Sequence, residues 1–156
     1  DAQESRGLGD VYKRQVKEYL AFVKGNLPEN GVLEIPMEEM RDSKDGDKLK
    51  MKAGLGENAK TAKTIFRVVK RFEKCSLVSL VIETGRTHQI RVHMTSIGHP
   101  LLGDEVYGSG KNPYHLQGQT LHAMILGFVH PSTGEYMEFT APLPEYFVKL
   151  LEKLRK

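Results

Sequence analysis

Apolar and polar positions alternate with a period of two over Val16–Val23 (VKEYLAFV). This predicts a β-strand with Lys17, Tyr19, Ala21 and Val23 on one face and Val16, Glu18, Leu20 and Phe22 on the other. Gly25–Gly31 reads as loop, with Pro28 and Asn30-Gly31 as turn signals, and Val32–Ile35 as a short strand that stops at Pro36. Arg41–Lys63 is polar with weak apolar content and predicts a long loop or irregular hairpin. Thr64–Phe72 and Cys75–Glu83 are rich in β-formers and split only by Glu73-Lys74, which predicts an antiparallel hairpin. Leu121–Val129 and Glu135–Thr140 predict a second, joined by the turn-forming HPSTG. Between the pairs, Thr84–His99 reads as turn then helix. Ile90, Met94 and Ile97 fall at helical spacing, Gly98 ends the helix and Pro100 prevents its restart. After Pro144, the residues Phe147, Leu150, Leu151 and Leu154 form one stripe, and Lys153, Arg155 and Lys156 crowd the last turn, where cations suit the helix dipole.

Residues 1–15 show neither period. The string RGLGDVYKRQ resembles translated adapter sequence from assembled environmental DNA, so this stretch is read as an artefactual or disordered leader, with a native flexible arm as the alternative. Residues 16–156 are read as one unit, with the natural C-terminus expected to be present and the natural N-terminus expected to be absent. A length of 156 residues accommodates one domain, and 39% hydrophobic residues supply a core. The expected class is α+β, with a mixed, mainly antiparallel sheet and flanking helices. The apolar runs are far shorter than the ~20 residues of a membrane span. The single cysteine, Cys75, excludes an internal disulfide framework and points to a reducing, cytosolic setting, with Cys75 as a small buried hydrophobe.

Net charge is +3 and the isoelectric point is near 8.9. Ten basic and four acidic residues lie between Lys44 and Lys74, a local excess of six that exceeds the net charge of the whole chain. A solvated face and a phosphate-tracking surface both fit such a run. The densest polar chemistry is TGRTHQIRVHM, Thr84–Met94. Arg91 borders the buried stripe and so calls for a carboxylate or phosphate partner. His88, His93 and His99 lack the i, i+4 spacing of helical zinc pairs, so no metal is expected. These residues alone support an α+β domain that faces RNA or a nucleotide.

ETGRTHQIRVHMTSIGHPLLGDEVYG (Glu83–Gly108) resembles the signature of the RluA/RluD family of RNA pseudouridine synthases. KEYLAFVKG (Lys17–Gly25), LHAMILGFVHPSTGE (Leu121–Glu135) and FTAPLP (Phe139–Pro144) are similar to further family segments in the same order. The resemblance covers about Val16 to Lys156. It implies the C-terminal part of the pseudouridine synthase catalytic fold and isomerisation of a uridine in structured RNA, ribosomal or transfer. It also implies no cofactor, no metal, no membrane, and a monomer in the cytoplasm. Tyr19 matches the active-site tyrosine, and Arg91 matches the arginine that pairs with the family's catalytic aspartate. Arg86 and His88 are expected at the RNA, with Lys60 and Lys63 from the basic window. The aspartate motif, R-L-D-x-x-T-S-G, is absent. Three expectations follow: the chain alone is inactive, Arg91 lacks its carboxylate, and Asp104 is only a structural turn residue. The alternatives are a non-catalytic RNA-binding module and, less favoured, an enzyme that grips a nucleotide phosphate with Arg86 and Arg91.

Overall fold

The computed structural model describes residues 15–40, 50–54, 56–86, 88–108, 112 and 114–155. Residues 1–14 of the stretch read as a leader, together with Lys44, Lys48 and Lys156, lie outside the described residues.

Strands β1 (Gln15–Lys24), β2 (Asn30–Glu34), β5 (Lys63–Arg71), β6 (Cys75–Ile82), β7 (Leu121–Val129) and β8 (Tyr136–Thr140) form one six-stranded sheet in the order β2-β5-β6-β1-β7-β8. Every pairing among these described strands is antiparallel, so the expected parallel component is not found among them. Both predicted hairpins form. β1 is interior, paired to β6 on one side and β7 on the other. Its alternation is realised as two cores. Ala21 and Val23, with Tyr19 packed against them, join Phe66, Val78 and Leu80 under Ile90 and Met94 of α1 (Gln89–Ser96). Leu20 and Phe22 join Cys75 and Leu77 on the opposite face, under Phe147 and Leu150 of α2 (Glu145–Leu154). Each helix thus covers one face of the sheet, as its single apolar stripe dictates.

Two local readings are corrected. Asn30-Gly31 opens β2 rather than turning before it. Gly31 belongs in that strand because a Cβ there would lie 2.6 Å from the Phe66 ring. Within the stretch read as loop, β3 (Met37–Glu39) and β4 (Met51–Ala53) pair into a small second sheet. Met37 and Lys60 exchange backbone hydrogen bonds of 2.9 and 2.7 Å that tie this sheet to the chain before β5. Met37, Met51 and Ala62 pack on Val92, so α1 is held between the large sheet and the small one. Gly98 adopts φ +86 and, with His99, closes the helix through bonds to the Thr95 and Met94 carbonyls.

Candidate functional site

The entry to α1 is fixed by a buried glutamine. Gln89 Oε1 accepts from the Thr84 hydroxyl (2.6 Å) and the Arg86 amide (3.2 Å), while Nε2 donates to the Lys63 carbonyl (2.8 Å) and Thr64 Oγ1 (2.9 Å). One side chain thereby locks the 84–86 turn to β5, with its full hydrogen-bonding capacity used. Thr64 passes the network to His93, whose Nδ1 lies 2.9 Å from the Thr64 hydroxyl and whose Nε2 lies 2.8 Å from the Ile35 carbonyl. The carbonyl can only accept, so Nε2 carries the proton and Nδ1 accepts from Thr64. Burial holds the His93 pKa below 6.5, partly offset by the Ile35 bond. Sequence reading singled out neither Gln89 nor His93 for these roles. Both occupy positions of α1 that face β5, where a polar side chain requires partners.

Arg91 is the centre of a second network. Its Nε donates to Asp104 Oδ2 and its Nη2 to Asp104 Oδ1, both at 2.9 Å, in a fork-on-fork pair. This overturns the expectation that Arg91 lacks its carboxylate. The turn Leu101–Asp104 returns the chain alongside α1, and Asp104 supplies the charge that the buried guanidinium requires. Asp104 is therefore more than a turn residue, although it also accepts the Val106 and Tyr107 amides at 3.1 Å each. Burial favours the neutral carboxyl, but the bonds from Arg91, Tyr107 and Val106 outweigh it and lower the Asp104 pKa. The bond to Asp104 raises that of Arg91. The Arg91 guanidinium lies 5.0 Å over the Tyr107 ring, and Tyr107 Oη lies 2.6 Å from His88 Nδ1. His88 caps α1 with a left-handed backbone (φ 55), an uncommon conformation for a residue other than glycine. Burial, reinforced by the Arg91 charge, lowers the His88 pKa.

The other expected site residues are distributed around this centre. Tyr19 lies on the sheet face that α1 covers, packed against the core containing Ile90, and burial raises its phenol pKa above 10.0. Arg86 donates from Nε to the Thr61 carbonyl (2.8 Å) and shares a groove of about 570 Å³ with Lys60, Lys52, Glu38 and Asn58. Lys63 does not join that groove, because its ammonium lies between Glu34 (3.6 Å) and Glu83 (3.5 Å). Among the described residues, the basic window does not form one track. Arg67 lines a separate groove with Glu18 and Ser79, and Lys70 sits 5.5 Å over Phe72.

A family profile described as RNA pseudouridylate synthase matches residues 2–96. The chain is 46% identical over 147 residues to an "Uncharacterized RNA pseudouridine synthase YlyB" of Bacillus subtilis (strain 168), covering 94% of this chain and 46% of that protein. It is 38% identical over 165 residues to "Ribosomal large subunit pseudouridine synthase D" of Pasteurella multocida, covering 97% of this chain and 49% of that protein. The solved structure "Human RNA Pseudouridylate Synthase Domain Containing 1" is similar with a TM-score of 0.70 and 26% identity, covering 96% of this chain and 71% of that one. The chain spans about half the length of the curated relatives it matches.

Proposed function

Because the chain belongs to the RNA pseudouridylate synthase family, we propose that it forms the C-terminal part of a catalytic domain that isomerises a specific uridine in structured RNA. The substrate is a large-subunit ribosomal RNA or a transfer RNA, and the protein works as a cytoplasmic monomer. In this reaction the N1–C1′ bond breaks, the uracil turns, C5 bonds to C1′, the C5 proton is released and N1 takes up a proton. The target nucleotide leaves its stack to be reached. Tyr19 packs on the base and is placed for proton transfer. Arg91 orients an anionic partner, and Arg86, His88 and Lys60 hold RNA, whereas Lys63, also expected there, is engaged by Glu34 and Glu83.

The observation that carries this reading is the buried Arg91 fork beside Tyr107 and His88, in the segment that carries the family signature. Asp104 engages Nε and Nη2, so an incoming carboxylate would meet Arg91 at its remaining donors. The R-L-D motif that supplies that carboxylate in the family is absent from this sequence. We therefore propose that the 156-residue chain is inactive alone. Incubation with RNA tritiated at uridine C5 tests this directly, since each turnover releases the C5 hydrogen to water. No release is expected from the chain. Release that requires Tyr19 is expected once an R-L-D segment is joined in frame, and release from the chain alone would overturn the assignment.

One observation favours a second reading, a non-catalytic RNA-binding module. Asp104 satisfies Arg91 within this chain, so the site closes without the missing aspartate. That reading predicts RNA binding without tritium release even when the R-L-D segment is restored.

A further inference from the structure

The tautomer of His88 follows from the company its partner keeps. Tyr107 Oη accepts the Met51 amide at 3.0 Å and lies 2.6 Å from His88 Nδ1. A phenol has one proton, and among the described residues that short contact is the only one at which Tyr107 Oη can donate it. Tyr107 therefore donates to Nδ1, and the proton of the neutral imidazole sits on Nε2. No described residue bonds to Nε2, and the half-buried ring keeps part of its edge accessible. The ring cannot easily turn away. It packs edge-on to Tyr107 with centroids 5.5 Å apart, and its backbone is held in the left-handed region at the start of α1. Tyr107 is itself pinned by the Arg91 guanidinium above its ring and by its own amide on Asp104.

We propose that Tyr107 is a positioning residue that fixes His88 as an Nε2–H donor, so that His88 offers one directed hydrogen bond to an oxygen of the bound RNA. This rests on the RNA-binding reading above and adds to it the proton position, the residue that sets it, and the acceptor class. The acceptor is an oxygen lone pair, which a pyrimidine carbonyl and a phosphate oxygen both provide. The charged groups nearest the ring, Arg91 and Asp104, neutralise each other in their own pair. Lowered basicity at His88 keeps the imidazole neutral near pH 7.

Nitrogen-15 long-range correlation spectra of the labelled chain read the tautomer directly, with His88→Gln identifying the His88 signals. The wild-type chain is expected to show Nε2–H at His88, and Tyr107→Phe is expected to give a mixture of tautomers. Tyr107→Phe should also weaken RNA binding about five- to tenfold, the size of one neutral hydrogen bond. His88→Gln, whose amide can accept from Tyr107 and donate outward, should bind more tightly than His88→Ala. It serves as the readout if Tyr107→Phe proves unstable. Two oligonucleotides separate the acceptors. Loss confined to a uridine-containing strand identifies a base carbonyl, and equal loss on an all-adenine strand identifies a phosphate. Nδ1–H in the wild-type chain, or equal binding by His88→Gln and His88→Ala, overturns the inference while leaving RNA binding intact. Absence of binding by the wild-type chain to either strand overturns the RNA reading and with it the proposed acceptor.

Discussion

A buried ion pair is most sensitive to losing one partner. Asp104→Leu strands the guanidinium of Arg91, a residue only 8% exposed, and should cost about 3–5 kcal/mol in urea unfolding. Adding Arg91→Met to Asp104→Leu should recover much of that loss, because the orphaned charge is then gone. Buried His93 and half-buried His88 give the molecule an acid limb. His93 and His88 have lowered pKa values in the folded chain and titrate near 6.5 when unfolded, so below pH 6.5 the unfolded state binds more protons. Stability should be full above that value and fall as pH drops through it. Asp104 adds a separate loss below its ordinary value of 3.8, since its lowered pKa favours folding only above that. Urea midpoints measured from pH 7.5 down to pH 4.5 should fall continuously from about pH 6.5, and His93→Gln should flatten that limb. A midpoint that holds constant to pH 5 would contradict the buried neutral His93. At this scale the sequence showed that Arg91 needs a carboxylate or phosphate partner but not which one. Asp104 lies thirteen positions downstream, beyond the Gly98–Gly103 turn, and no helical spacing connects them.

The long periodic elements were legible and the short ones were not. β1, β5, β6, β7 and both helices carry enough apolar positions for their period to appear, and their observed bounds depart little from the expected ones. β3 and β4 have three residues each, too few to display alternation, and their pairing with each other and the packing of Met37 and Met51 on Val92 define them. The start of β2 was hidden because Gly31 is a turn residue by composition and a strand residue by its contact with Phe66. The entry to α1 depends on one side chain more than its helical pattern suggests. Gln89→Leu removes four hydrogen bonds, so that Thr84, Thr64, the Lys63 carbonyl and the Arg86 amide each lose one partner. It should cost about 1–3 kcal/mol. It should also raise amide hydrogen exchange at Arg86, whose N–H then loses its acceptor. Unchanged exchange there would show that the 84–86 turn is held by something other than Gln89.

Across the whole molecule, the excess of basic residues that suggested a phosphate track is divided by the fold. Lys63 is neutralised by two glutamates, Lys52 lies 3.1 Å from Glu38, and Arg71 donates to the Leu27 carbonyl. Lys60 and Arg86 remain together in one groove, near the α1 entry that carries His88 and Arg91. A small number of phosphate contacts near this end of the helix is therefore expected rather than a long basic face. The family segments were legible because they are continuous in sequence. The union of Asp104, Tyr107, His88 and Met51 was not, because the fold assembles it from three separate stretches. The account is tested most directly by titrating the purified 156-residue chain with structured uridine-containing RNA over a range of salt concentrations. It predicts binding whose log affinity falls linearly with log salt, with a shallow slope of about two to four phosphates that drops by about one in Lys60→Ala. Binding that is absent at low salt, or indifferent to salt and to Lys60, would contradict it.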